Sequence, residues 1–141
     1  MIHSVTVQTH GPALHEITDP LHRWLDATGA GDGVLTLMIR HSSASLLIQE
    51  NADPDVRTDL LAWLERIAPP ADHLSMGWII HRDEGPDDMP AHLKAAVLPT
   101  TLQIPVRRGA MMLGRWQGVY LVEHRRAPHR REVVAAFQSF D

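Results

Sequence analysis

The chain has 141 residues, 44% apolar and 21% charged, with 13 basic and 17 acidic side chains and a net charge of −4. A chain of this size suits one domain over residues 1–141 and buries roughly 68–70% of its extended surface without a staple. The absence of cysteine excludes disulfide scaffolds, thiolate zinc sites and cysteine nucleophiles. No run approaches the ~20 apolar residues of a membrane span. Met1 to His10 lacks the basic flank and apolar block of a secretory signal, so a cytoplasmic domain is expected. His3 to Gln8 alternates as a strand. Thr18 or Asp19 can cap a helix with Pro20 in its first turn and Leu21, Trp24 and Leu25 on its apolar face, stopped at Gly29 and Gly31. Val34 to His41 and Ala44 to Gln49 read as strands. Asp53-Pro54 opens a helix with Val56, Leu60, Leu64 and Ile67 on one face, ended by Pro69-Pro70. Trp78 to His81 suits a short strand, and Asp87-Asp88-Met89-Pro90 begins a third helix that runs to Val97. Thr101 to Val106, Met111 to His124 (broken near Gly114) and Glu132 to Phe140 complete the strands. Short polar turns such as Arg107-Arg108-Gly109 favour hairpins over parallel crossovers. The expected fold is α+β, a largely antiparallel sheet with about three helices.

Ten histidines give the sequence its chemical character. Period two places Leu35, Leu37, Ile39 and His41 on one strand face, and Trp116, Gly118, Tyr120, Val122 and His124 on another. In both rows a histidine closes an apolar series. Asp88 and His92 are four apart on one helix face, and His92 near the helix start favours a neutral imidazole. Neutral imidazoles and carboxylates from separate elements make a plausible divalent-metal set of His41, His92 and His124, with His81 a fourth candidate. Each also has an ordinary structural explanation: a strand-end histidine bonded to a carbonyl, or a carboxylate capping a helix. Glu50, at the mouth of the strand after His41, is available as a general base. His3, His10, His15, His22, His73 and His129 are expected at the surface. Phosphate loops and the H-E-x-x-H motif are absent.

Several blocks, in order, resemble the YjbQ-like family, described as secondary thiamine-phosphate synthases. His-Ser-Ser-Ala-Ser (41–45) is similar to the family's His-Thr-Ser-Ala-Ser, and Gln49 to Arg57 to its Asn-Glu-Asn-Ala-Asp-Pro-Asp-Val-Arg. Glu84 to Lys94 nearly reproduces the family string, and Trp116-Gln117-Gly118 through Glu123-His124-Arg125 keeps its spacing. The resemblance implies a compact homotrimer with pockets rich in histidines and acids. It implies that His41, Glu50, Asp88, His92 and His124 belong to the site, with Ser43, Asn51, His81 and Arg57 nearby and a divalent metal present. The associated activity joins a pyrimidine diphosphate to a thiazole phosphate, giving thiamine phosphate and pyrophosphate. Here Arg115 replaces the threonine before Trp-Gln, Gln49 an asparagine and Pro99 a glycine.

Three functional classes follow. In an enzyme, Glu50, Asp88 or His81 would move protons and Arg57, Lys94 and Arg131 would hold phosphate oxygens, beside Ser43, Asn51, Trp116 and Gln117. Histidine ligands suit zinc better than magnesium, which prefers oxygen donors. The second class is a metal- or small-anion-binding trimer without turnover. The third is an interaction module built on the seven arginines of residues 107–141; the acidic whole and few aromatics argue against nucleic acid as its partner.

Overall fold

The computed structural model describes residues 1–141. Its elements run β1 (Ile2–Thr9), β2 (Ala13–Glu16), α1 (Thr18–Thr28), β3 (Gly33–Ile39), β4 (Ala44–Glu50), α2 (Pro54–Ile67), α3 (Asp88–Val97), β5 (Thr101–Arg107), β6 (Ala110–Met111), β7 (Gln117–Glu123) and β8 (His129–Ser139). Every ladder is antiparallel. One sheet has the order β1-β8-β3-β5-β6 and a second the order β2-β7-β4. The β5–β6 hairpin turns at Arg108 and Gly109, both at positive φ (50° and 81°), as a two-residue turn between right-twisted strands requires. No helix is long and apolar enough to cross a membrane.

Strand alternation builds the core. Leu35, Leu37 and Ile39 of β3, Ile104 and Val106 of β5, and Val133, Ala135 and Phe137 of β8 face inward from the larger sheet. They meet Ala44 and Leu46 of β4, Val119 and Leu121 of β7, and Leu21 and Leu25 of α1. Burying each leucine contributes about 1.5–3 kcal/mol.

The same alternation carries two charges inward. Glu123 continues the row Val119–Leu121 on β7, and Arg131 begins the row Val133–Ala135–Phe137 on β8. They meet as a fork-on-carboxylate pair, with Arg131 Nη2 2.6 Å from Oε2 and Nε 2.8 Å from Oε1. Thr9 donates its hydroxyl to Oε1, and the His124 and Arg125 N–H groups, each at 3.0 Å, donate to Oε2. Arg131 Nη2 also donates to the hydroxyl and carbonyl oxygens of Ser43. Burial opposes ionisation of Glu123, but the Arg131 and Thr9 hydrogen bonds overcome it and hold the carboxyl below its usual range.

Some local expectations change. Trp78 to His81 is not a strand, because no neighbouring strand is there to pair with it. The segment is an irregular loop with a 3-10 turn at Leu74–Met76, pinned by Arg82 through the Ala71, Met76 and Ile79 carbonyls. β3 stops at Ile39, so His41 lies just past the strand. Thr18 does not cap α1: its hydroxyl donates to Glu16 and accepts the Val119 N–H. Asp53 does sit at the N-cap of α2, accepting the Asp55 N–H. Of the predicted α2 face only Leu64 is buried. The antiparallel strand β2 has no counterpart in the sequence reading.

A charge left alone between the sheets is costly. Glu123→Ala should lower unfolding stability by about 3–5 kcal/mol in urea titrations, whereas Glu123→Leu combined with Arg131→Met should cost far less.

Candidate functional site

One carboxylate and two imidazoles converge at the start of α3. Asp87 occupies the N-cap position without a side-chain cap bond, so Asp88 falls in the first turn, with its side chain turned inward. Asp88 is only 4% exposed. Arg125 Nη1 binds Asp88 Oδ1 at 2.7 Å and Arg125 Nε binds Asp87 Oδ2 at 3.0 Å. The second Asp88 oxygen, Oδ2, lies 2.9 Å from His81 Nε2 and 3.3 Å from His92 Nε2. One ligand atom from each of His81, Asp88 and His92 lies within 4.8 Å of the others.

The tautomer of His92 follows from its partner. Nδ1 lies 3.0 Å from the Ser42 carbonyl oxygen, which can only accept, so Nδ1 carries the proton. In the neutral ring Nε2 is then a bare lone pair beside a carboxylate oxygen, an arrangement that favours a cation between them. Zinc bonded at 2.0–2.1 Å in tetrahedral geometry spaces its ligand atoms about 3.3 Å apart; the 3.3 Å between His92 Nε2 and Asp88 Oδ2 matches this spacing, while the 2.9 Å between His81 Nε2 and Oδ2 is that of a hydrogen bond. The donor set fits such an ion. The Ser42 carbonyl orients His92 and Arg125 leaves Asp88 Oδ2 free, so His81, His92 and this oxygen would be the residues to hold such an ion.

The expected trio of His41, His92 and His124 does not meet within the chain. His41 Nε2 accepts the Glu132 N–H at 2.9 Å, which removes that atom as a ligand and puts the proton on Nδ1. Burial and then the charge of Arg131 push its pKa down. His124 is buried with Nε2 2.8 Å from Ser45 Oγ, away from solvent. His81 stands beside Asp88 and His92 where His41 and His124 do not, and Arg125, not singled out in the sequence, grips Asp88. The Glu123-His124-Arg125 string was the available signal.

The phosphate-holding candidates are engaged elsewhere. Arg131 and Ser43 belong to the buried network, and Lys94 is buried with Nζ 3.2 Å from Glu65. Glu50, Asn51, Arg57, Trp116 and Gln117 gather at the far end of the smaller sheet. Glu50 accepts the Ala52 N–H, its carbonyl accepts the Tyr120 hydroxyl, and Arg57 bonds that hydroxyl. Asn51 donates to the Gln117 carbonyl. A Cβ at Gly118 would lie 2.6 Å from Glu16 Oε2 and 3.2 Å from Asn51 Cβ, so a side chain there would displace the Glu16 carboxylate and crowd Asn51. Seven residues of β4 separate this group from the Ser42–Ser43 end, a span of about 20 Å.

His124 makes folding acid-sensitive. Burial and then Lys94 lower its pKa to about 4. Between that value and the 6.5 of an unperturbed ring the unfolded chain binds the extra proton, so stability falls as pH falls. Glu123, depressed in the folded state, adds a loss at lower pH. Urea unfolding should show stability decreasing by on the order of 3 kcal/mol from pH 7 to pH 4. His124→Gln should flatten the upper part of that profile.

A model of the family described as UPF0047 protein YjbQ-like matches residues 3–139. The UPF0047 protein sll1880 of Synechocystis is 42% identical over 92% of this chain and 86% of its own. The UPF0047 protein YjbQ of Escherichia coli O157:H7 is 37% identical over 96% and 95%. Among solved structures, an uncharacterized conserved protein of the yjbq/upf0047 family from Clostridium acetobutylicum superposes with TM-score 0.82 at 29% identity, over 98% of this chain and 99% of that one. The conserved hypothetical protein TT1486 of Thermus thermophilus gives 0.82 at 31% identity, over 96% and 99%. With two converged imidazoles and a buried aspartate at its centre, this chain belongs to the YjbQ-like (UPF0047) family.

Proposed function

We propose that the chain is a metal-dependent enzyme of the cytoplasm, acting as a homotrimer on a phosphorylated small molecule. The observation that carries this reading is the convergence of His81, Asp88 and His92 within 4.8 Å. These three would hold a zinc-like divalent ion; magnesium is less suited to two imidazoles. Such an ion supplies Lewis acidity toward a phosphoryl oxygen or a bound water near neutral pH. The chain's own residues set the rest. Arg125 fixes Asp88 as a one-oxygen ligand, and Ser42 keeps His92 Nδ1 protonated. Arg82 bonds three carbonyls of the loop before it and so steadies His81.

The finer reaction is the one the family resemblance suggests, joining a pyrimidine diphosphate to a thiazole phosphate with release of pyrophosphate. Glu50 is the candidate base, but within one chain it lies at the other end of β4. Assembly would have to bring the Glu50–Asn51–Gln117 group of one subunit to the histidines of the next. Exposed Trp63, Ile67, Trp78, Ile80 and Trp116 supply apolar surface suited to such a contact. The same separation supports the second reading, a trimer that binds metal or a small anion without turnover.

Equilibrium dialysis of chelator-treated protein against zinc should give one site per chain. His81→Ala, His92→Ala and Asp88→Asn should each weaken it by about tenfold or more. Zinc-loaded wild type should then form thiamine phosphate from the two substrates, and Glu50→Ala should not. Bound zinc without product would establish the binding reading. Undiminished zinc affinity in all three variants would remove these residues from the site.

A further inference from the structure

On the outer face of the larger sheet, Thr6, Arg40, His41, Arg130 and Glu132 line an open depression of about 400 Å³ with no apolar side chain in it. Strand register explains the grouping. Thr6 pairs with Glu132 and Gln8 with Arg130 across β1 and β8, so Thr6, Arg130 and Glu132 share a face. Arg130 and Glu132, two apart, stand about 7 Å from one another. The chain leaving β3 delivers Arg40 and His41 to the same place, with the Arg40 N–H bonded to the Glu132 carbonyl.

We propose that this depression holds the phosphoryl oxygens of a small phosphorylated molecule. Arg130 makes no ion pair, and Arg40 uses only Nη1, at 2.8 Å from Glu132 Oε1, leaving donors of its fork free. His41 accepts the Glu132 N–H at Nε2, so its Nδ1–H is a further donor. The Thr6 hydroxyl is another. Two guanidiniums against one carboxylate leave the lining cationic, and guanidinium forks match phosphate oxygens. Of the cations expected from the sequence to do this work, Lys94 and Arg131 are buried in other pairs, and Arg57 lies at the far end of the smaller sheet, donating to the Tyr120 hydroxyl. The depression also adjoins the cation ligands through the chain, since His41 precedes Ser42, whose carbonyl holds His92. The proposal deepens the phosphorylated-substrate reading and rests on it for the ligand class, but its geometry needs no metal.

The test is calorimetric titration of inorganic phosphate into the full chain at low ionic strength, with chelator present. Wild type should bind saturably, and His92→Ala should bind equally well. Arg130→Gln and Arg40→Gln should each weaken binding by about tenfold, while Glu132→Gln, which removes the competing carboxylate, should tighten it. Binding that vanishes with chelator or in His92→Ala but survives in Arg130→Gln would put phosphate at the histidines and overturn the proposal, leaving the cation site intact. No saturable binding, or a preference for a short oligonucleotide over phosphate, would overturn it too.

Discussion

The buried pair of Glu123 and Arg131 organises the candidate site without touching it. Glu123 takes the N–H groups of both His124 and Arg125 on one oxygen, which fixes the chain where β7 ends. That placement sends the Arg125 guanidinium across to Asp87, Asp88 and the Glu84 carbonyl. Arg131 meanwhile binds Ser43 through both its oxygens, which steadies the segment whose Ser42 carbonyl orients His92. One ion pair therefore braces the supports of the carboxylate and of one imidazole. Such a pair is weak evidence for net stability, because desolvation offsets much of its attraction. Its value here is positional.

The electrostatics divide the histidines into roles. His124 is buried against Ser45 beside Lys94, which keeps it neutral and structural. His41 is committed through Nε2 to a backbone N–H, so it offers the outside a donor rather than a lone pair. Only His81 and His92 bring a ring nitrogen to a shared carboxylate oxygen, His81 by donating its Nε2–H to Asp88 Oδ2 at 2.9 Å. The Asp88 carboxylate is divided in the same way, one oxygen given to Arg125 and the other left for the imidazoles.

Much of the fold was legible in the sequence because alternation and turn chemistry are local. The row Leu35–Leu37–Ile39, the stop at Gly29, the Asp53-Pro54 helix start and the Arg108-Gly109 turn all follow from neighbours within a few residues, whereas on β7 the row that joins the core is Val119–Leu121 and not the Tyr120–Val122 row that His124 closes. The site was only half legible. Asp88 and His92 lie four apart on one helix, a relation that spacing reveals. His81 reaches them from an irregular loop held by Arg82, and no periodic pattern encodes that approach. The fork between Glu123 and Arg131 joins two strands through tertiary packing, so Arg131 read as a free cation when its charge is spent inside. His41 and His124 ended apolar rows as predicted in kind, but the partners that decide their chemistry come from β8 and β4.

His81, Asp88 and His92 must form a single cation site for this chemistry to follow. Anomalous diffraction at the zinc edge, from crystals grown with stoichiometric zinc, tests this most directly. One strong peak bonded to His81 Nε2, Asp88 Oδ2 and His92 Nε2, with Arg125 still on Asp88 Oδ1, is the predicted result. A peak on His41 or His124 instead, or no peak among these side chains at saturating zinc, would contradict it.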